Sequence, residues 1–435
     1  MRTRAAILSV CTCMIVPFTL PAQAPLTGNW LVTADFFGTP LYFHLKLAQH
    51  ANTLTGDFDG DTLHGTVTGN TFHFLAKDTE GGTENVTGSV ENGVISGTSI
   101  WTQGGDSAHP VTHRLTAVLP AQRRAVSPQR HDFTPVVFYR QFSALNKPVL
   151  TISPGDTVHT TTVDAGGTDA TGLRRVLGGN PQTGPFYVET AMPGDVLVIH
   201  LTRVRLNRDW AISDDGIVPR GLDGDLAVKM KDTGKDVRWH LDLANGTAWP
   251  EKPGEHLTTY AVPLRPMMGC IAVAPSPSRA APNTGDSGPW GGNMDFNEIV
   301  EGATVFLPVA TPGALLYLGD GHAAQGDGEL TGNALETSMD VEFTVDVIPA
   351  KRIPGPRVES PTQLIAMGLD GSLDDAFRAA TANMANWLET DYKLTPSEIA
   401  QILGSAAQYK VSEVADRNAG IVLKIDKARL PQPRP

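Results

Sequence analysis

Glycine and proline interrupt this chain too often for long helices over most of its length: 44 glycines and 32 prolines are spread through 435 residues. Between the breaks, apolar and polar residues alternate. Leu41-Tyr42-Phe43-His44-Leu45-Lys46-Leu47 and Thr71-Phe72-His73-Phe74-Leu75 send successive side chains to opposite faces, the period of a half-buried strand. Many short strands joined by tight turns are therefore expected, giving a mainly β (α+β) fold. The length suits roughly two to three domains. A formal net charge of −12 argues against nucleic acid and anionic membrane surfaces as partners.

The first residues carry a different signal. Arg2 and Arg4 precede an apolar run over 5–20, and Ala22-Gln23-Ala24 offers a small-x-small cleavage site. Residues 1–24 are expected to be a secretory signal peptide, exporting the chain to the periplasm or beyond. The run holds Thr12, Pro17 and Thr19 and falls short of the ~20 apolar residues a span needs, so no membrane span is expected after cleavage. An uncleaved anchor is the weaker alternative. Of 3 cysteines, Cys11 and Cys13 leave with that segment. Cys270 remains in Met267-Met268-Gly269-Cys270-Ile271-Ala272-Val273, an apolar run in which it is expected to be a small core residue without an internal disulfide partner.

Three regions follow. Residues 25–118 are expected to form a small antiparallel β-barrel or meander. Glycine ends its strands in Leu54-Thr55-Gly56, Leu63-His64-Gly65, Val67-Thr68-Gly69, Val86-Thr87-Gly88 and Ile95-Ser96-Gly97, with two-residue turns at Gly69-Asn70 and Asn92-Gly93. Asp57-Phe58-Asp59-Gly60-Asp61 fails the EF-hand pattern, because Thr62 and Thr68 take its sixth and twelfth positions, and a solvated hairpin turn is expected there. Residues 119–132 suit a linker, with Pro120, Arg123, Arg124, Pro128 and Arg130. Residues 133–430 are expected to form a β-sandwich-like domain with C-terminal helices within about 361–415. One helix shows an apolar face of Leu373, Ala376, Phe377, Ala380, Met384, Trp387 and Leu388 and a cap at Ser372 and Asp375. Thr395-Pro396-Ser397-Glu398 is a capping box that opens a second, presenting Ile399, Ile402, Leu403 and Ala406. Residues 420–425 then read as a returning strand.

Chemistry concentrates at 318–339, where Asp320, His322, Gln325, Asp327, Glu329 and Glu336 alternate with Gly319, Gly321, Gly326 and Gly328. Close carboxylates repel unless a cation or proton separates them, so this is the inventory of a divalent metal site or a metal-assisted hydrolase. Asp320 and His322 stand two apart and can share a strand face, and a neutral imidazole suits zinc. Three more islands offer partners, each with a plain turn as its alternative. Asp164 precedes Gly166-Gly167, and Asn180 and Thr183 lie in a turn-rich stretch. In Gly291-Gly292-Asn293-Met294-Asp295, Gly292 allows a ligand to approach the backbone. Asn293 offers an amide donor to an oxyanion, and Asp295 is a second possible ligand.

Taken together these motifs resemble the acetamidase/formamidase family. The resemblance is carried by Pro-Gly-Asp-Thr-Val at 154–158 with Asp164, Asn-Pro-x-Thr-Gly-Pro at 180–185 with Pro-Gly-Asp-Val-Leu at 193–197, Gly-Gly-Asn-Met-Asp at 291–295, and Gly-Asp-x-His-Ala-Ala-Gln-Gly-Asp-Gly-Glu at 319–329. The matches span roughly 131–430 in the family's order. The resemblance implies a β-rich fold, a homodimer or higher homo-oligomer, and hydrolysis of short amides with a divalent metal, zinc or calcium. On that basis Asp164, Asp320 and His322 are expected to hold the metal, with Asp327 and Glu336 as further ligands. Glu329 is the expected general base and acid, Asn293 the oxyanion donor, and Gly292, Asp295 and Gln325 the substrate contacts. The chain departs from simple members in its leader, its N-terminal module and the stretch Arg203-Val204-Arg205-Leu206-Asn207-Arg208-Asp209, which leaves the amide open, a cyclic lactam included. No Ser-x-x-Lys or activated cysteine stands out, although Ser287 keeps a nucleophile possible. The reading from another class is a secreted, non-enzymatic binding protein whose acidic loop holds structural calcium.

Overall fold

A computed structural model describes residues 26–120 and 127–431. The expected signal peptide at 1–24 and the middle of the expected linker lie outside the described residues. The chain divides into two compact units, the first around residues 26–32 and 44–119.

The first unit carries a closed barrel of eight sequential strands, from Gly28–Phe36 to Asp106–Val118. Alternation puts Leu45, Leu47, Leu63, Phe72, Phe74 and Val86 among its buried residues. Asn92 and Gly93 both have positive φ, as a type I′ turn requires, and join Glu91 directly to Val94. Asp59 and Gly60 likewise turn between Phe58 and Asp61, the hairpin expected there.

One expectation fails in an informative way. Gly56, Gly65, Gly88 and Gly97 lie inside strands rather than at their ends. They sit where backbones approach too closely for a side chain. A β-carbon on Gly65 would lie 2.8 Å from Phe74 Cα, and one on Gly88 would lie 3.2 Å from Gly97 Cα.

The second unit contains two large sheets. The twelve-stranded sheet runs from the Val262–Pro263 edge through Trp210–Asp214, Glu336–Thr337, Leu316–His322 and Met267–Ala272 to Gly291–Asn293 and Ser287–Gly288. The nine-stranded sheet includes Val196–Leu206, Met339–Ile348, Thr157–Thr161 and, at its far edge, Arg130–Phe133. Leu197, Ile199, Val341 and Phe343 from this sheet share one core with Phe186, Ile271, Leu316 and Leu318 from the other. The expected linker therefore stops short of 132, because residues 130–132 already pair in register with 157–159. Cys270 lies in Met267–Ala272, fully buried as expected.

The C-terminal helices are Leu373–Tyr392 and Pro396–Ala406, flanked within the expected helical span by strands Gln363–Asp370 and Gln408–Glu413. Ser372 accepts from Asp375 N, and both halves of the Thr395–Glu398 capping box are present. Ala376, Ala380, Met384, Trp387 and Leu388 are buried against the sheet, whereas Leu373 and Phe377 are exposed, Phe377 stacking on Tyr409. Gly368 permits that packing, since a β-carbon there would meet Ala380 N at 2.4 Å. Among the described residues no helix is long and apolar enough to cross a membrane.

Candidate active site

Four neighbouring strand segments of the twelve-stranded sheet build the site. Register places His322 opposite both Met267 and Glu336, and Cys270 opposite both Gly319 and Asn293. Gly269 lies between these pairs and has no side chain to fill the space in front of it. A β-carbon there would stand 2.5 Å from Asp295 Oδ1 and 2.5 Å from Asp320 Oδ2. Two carboxylates thus occupy the volume that glycine leaves free.

The backbone is bent to deliver them. Asn180, Asp295, Asp320 and Glu329 all have left-handed φ, between 39° and 58°, although none is glycine. Such residues are uncommon and gather where surrounding structure enforces them, as at functional sites.

Around His322 Nε2 lie Glu336 Oε1 at 3.1 Å, Asp320 Oδ1 at 3.4 Å and Asp295 Oδ1 at 3.9 Å. Glu329 joins Asp295 and His322 in a second compact group that shares the same imidazole. All five side chains are buried. The imidazole is held from behind: its Nδ1 meets Gln325 Oε1 at 2.9 Å, while Gln325 Nε2 donates to Asp295 O at 2.6 Å. That second bond orients the amide, so Gln325 Oε1 accepts and Nδ1 carries a hydrogen. Nε2 is left for the carboxylates, in ion-pair range but aligned for a hydrogen bond with none of them. His322 Nε2, Asp295 Oδ1 and Glu336 Oε2 are accordingly buried without a hydrogen-bond partner. Unmatched ligand atoms of this kind, two carboxylate oxygens and one imidazole nitrogen, fit a divalent cation.

The electrostatics agree. Burial, together with the Glu336 and Asp320 charges, pushes Glu329 well above the carboxylate range. Asp295 is raised by burial and by Glu329. Glu336 is pushed up to about 7, burial outweighing the attraction of His322. Burial works against charge on His322 too, but Glu336 and Asp320 overcome it and raise its pKa well above the ordinary value. In Asp320 the balance is reversed: burial is outweighed by His322 and by hydrogen bonds, and its pKa falls. Without a cation, a shared proton must hold this group together.

Several expected site residues take different places. Asp164 belongs to neither carboxylate–imidazole group. Its Oδ2 accepts from Arg208 Nη2 at 2.7 Å in a buried pair, so its charge is already matched. Asp327 is half-exposed and pairs with Lys410 at 3.0 Å, which removes it from the site. Asn293 cannot serve an oxyanion as it stands, because its Nδ2 donates to both Asp295 Oδ2 and Asp416 Oδ2 at 2.7 Å. It is a positioning residue. Gln325 likewise holds His322 rather than facing a substrate. Gly292 closes tightly on Ser287, and Asp295 lies at the centre of the carboxylate group.

Asn180, noted in the sequence, supports the site from behind Asn293, and other residues join it that were not expected there. Asn180 Nδ2 donates to Asn293 Oδ1 at 2.5 Å. Arg208 stacks on Trp210 and donates to Glu336 O at 3.2 Å, tying Asp164 to the site wall. Glu413 ends strand Gln408–Glu413 and Asp416 lies in the turn after it. Burial first and then the Asp416 charge raise Glu413 to about 8, while burial first and then the Asp320 and Asp286 charges raise Asp416 to about 6. Nothing local in Glu413-Val414-Ala415-Asp416 marks them in the sequence. Asp164, Asn293, Asp320, Glu329, Glu336 and Asp416 all line one groove of about 1470 Å³.

The acetamidase/formamidase family model matches residues 278–419, which contain Asp295, Asp320, His322, Glu329 and Glu336. A stretch of 59 residues is 44% identical to a Schizosaccharomyces pombe protein provisionally named a formamidase, and spans only 14% of that protein and 14% of this chain. Among solved structures, a predicted acetamidase/formamidase from Thermoanaerobacter tengcongensis aligns with a TM-score of 0.59 at 29% identity, covering 69% of this chain and 97% of its own. Acetamidases from Bacillus halodurans and Yersinia enterocolitica align with TM-scores of 0.58 and 0.61 at 29% and 27% identity, covering 68% and 72% of this chain and 97% and 96% of their own. Sequence and fold together support the acetamidase/formamidase family. The mainly β fold with C-terminal helices matches these acetamidase structures. The five carboxylate and imidazole residues thus lie inside the segment that carries the acetamidase/formamidase signal.

Proposed function

We propose that this protein hydrolyses the C–N bond of a primary amide, using a divalent metal ion held by Asp320, His322 and Glu336 with Asp295 beside them. The observation that carries the reading is the set of buried, unpartnered atoms around His322 Nε2. The imidazole favours zinc over calcium, which prefers an all-oxygen set. When bound, the cation supplies Lewis-acid polarisation of the carbonyl and positive charge where the oxyanion develops.

The chain's own residues move the proton. Glu329 Oε1 accepts from Ala334 N at 3.2 Å, which fixes the carboxylate and leaves Oε2 for the reaction. Its pKa, raised by burial and by the Glu336 and Asp320 charges, favours holding the proton between the two transfers. Oε2 accepts the proton of the attacking water as the new C–O bond forms. It then returns that proton to the leaving nitrogen as the C–N bond breaks, so that amide and water become carboxylic acid and ammonia, which exchange a proton in water to give carboxylate and ammonium. Asn293 supports the step indirectly by holding Asp295 and Asp416 apart.

The test is ammonia release from formamide and acetamide by protein loaded with zinc, with the bound metal measured directly. Glu329→Gln is expected to retain metal and lose turnover by at least a hundredfold, and His322→Ala to lose both. A wild-type protein that binds no transition metal and releases no ammonia from any primary amide would overturn the reading in favour of a binding protein.

A further inference from the structure

Three arginines that hydrolysis does not use line the groove, and one of them, Arg238, is matched by Glu251. Arg140 and Arg174 line it together with Asp320, Glu329 and Glu336. Arg140 Nη1 donates to Gly178 O at 3.2 Å, and Arg174 donates to Gly166 O from Nε at 3.3 Å and Nη2 at 3.1 Å. Those glycines pack against each other: a β-carbon at Gly178 would lie 3.4 Å from both Gly166 Cα and Gly166 O. Both guanidinium groups are therefore tethered to neighbouring points of one loop.

Neutral carbonyls orient them without cancelling their charge. Among the described residues neither has a carboxylate at ion-pair distance, whereas Arg175 pairs with Asp169, Arg208 with Asp164 and Arg238 with Glu251. Each guanidinium keeps its charge and has N–H donors unused by its carbonyl anchor. An anion entering the groove would relieve both conditions.

Size points the same way. Acetamide has four heavy atoms, which at roughly the 30 Å³ share of one water each fill about 120 Å³. The groove offers about 1470 Å³. A short amide leaves the arginine wall untouched.

We propose that the preferred substrate is a primary amide whose far end carries an anionic oxygen group, gripped by Arg140 and Arg174 while the amide lies among Asp320, Glu329 and Glu336. This rests on the hydrolytic reading above and adds the substrate class. A guanidinium fork matches two anionic oxygens at once, which a neutral chain cannot exploit.

Monoamides of straight-chain dicarboxylic acids, with two to about eight methylenes, test the idea against their methyl esters and against ω-phosphono amides. At the best length, kcat/KM for the carboxylated amide is expected to exceed that of its ester by at least about tenfold. In Arg140→Ala/Arg174→Ala that ratio should collapse to about one, and Arg140→Lys/Arg174→Lys should restore part of it. The phosphono series tells whether carboxylate or phosphonate is the favoured anion. Neutral amides hydrolysed with no charge preference at any length overturn the proposal, as does a preference that survives the double alanine variant. Calorimetric binding of the same compounds separates the two readings. Charge-selective binding that depends on the arginines but gives no turnover keeps the anion site and removes the hydrolase. Absence of selective binding removes the anion site.

Discussion

Gln325 Oε1 accepts from His322 Nδ1 at 2.9 Å, and this one bond decides which imidazole nitrogen faces the carboxylates. Outer partners of this kind are typically worth ten- to a hundredfold in metal affinity. Gln325→Leu is therefore expected to weaken zinc binding by about that range in calorimetric titration, with the melting temperature of the metal-free protein little changed. Unaltered affinity would show that the imidazole needs no such support.

Gly269 should tolerate nothing larger. Gly269→Ala puts a methyl group 2.5 Å from oxygens of Asp295 and Asp320, so one of them must move. A displacement near 1 Å at a reacting centre costs roughly a hundredfold in rate. Steady-state turnover alongside circular dichroism would separate this loss from unfolding, and activity within a few fold of wild type would contradict it.

The buried pair of Arg208 and Asp164 predicts a strongly non-additive mutant cycle. Removing one partner leaves an uncompensated buried charge, at a cost of about 3–5 kcal/mol, whereas removing both can approach neutrality. Arg208→Met should destabilise in denaturant titration, and Arg208→Met/Asp164→Leu should recover most of the loss. Additive single effects would mean that Asp164 is solvated after all.

Without a bound cation, stability should fall as pH rises. Asp416, Glu336 and Glu413 are raised to about 6, about 7 and about 8 in the folded chain. Raised carboxyls bind protons more tightly folded than unfolded. Their stabilisation is complete below the ordinary carboxylate range and is lost as pH climbs through those values. His322, also raised, acts in the same direction. The melting temperature of chelated protein should decline from pH 5 to 8, and zinc should flatten the curve. An apo protein that grows more stable over that range would refute the buried-acid account.

Local chemistry made much of the fold legible. Asn92-Gly93 needs two positive φ angles and forms the turn that requires them, and the Thr395 capping box forms as written. The apolar run around Cys270 is a buried strand. Long-range geometry was not legible. Gly56 and Gly65 looked like strand ends, because the backbones that crowd them belong to neighbouring strands. His322, Asp320 and Glu336 could be picked out by type, since they share one short glycine-rich segment. Asp164 could not be separated from them, because its partner Arg208 lies 44 positions away. The amide hydrogens of Asn293 were spoken for by Asp416, 123 positions later, which no local pattern announces.

The left-handed backbone at Asp295, Asp320 and Glu329 sets a limit on how robust this molecule can become. Each such residue costs of order 1–3 kcal/mol, and each brings a carboxylate into a space already crowded with negative charge. Selection for heat resistance alone would therefore favour glycine or an uncharged side chain at these positions. Variants recovered from such a screen should cluster at this carboxylate wall and lack the proposed activity, marking out the site through the stability gained when it is lost.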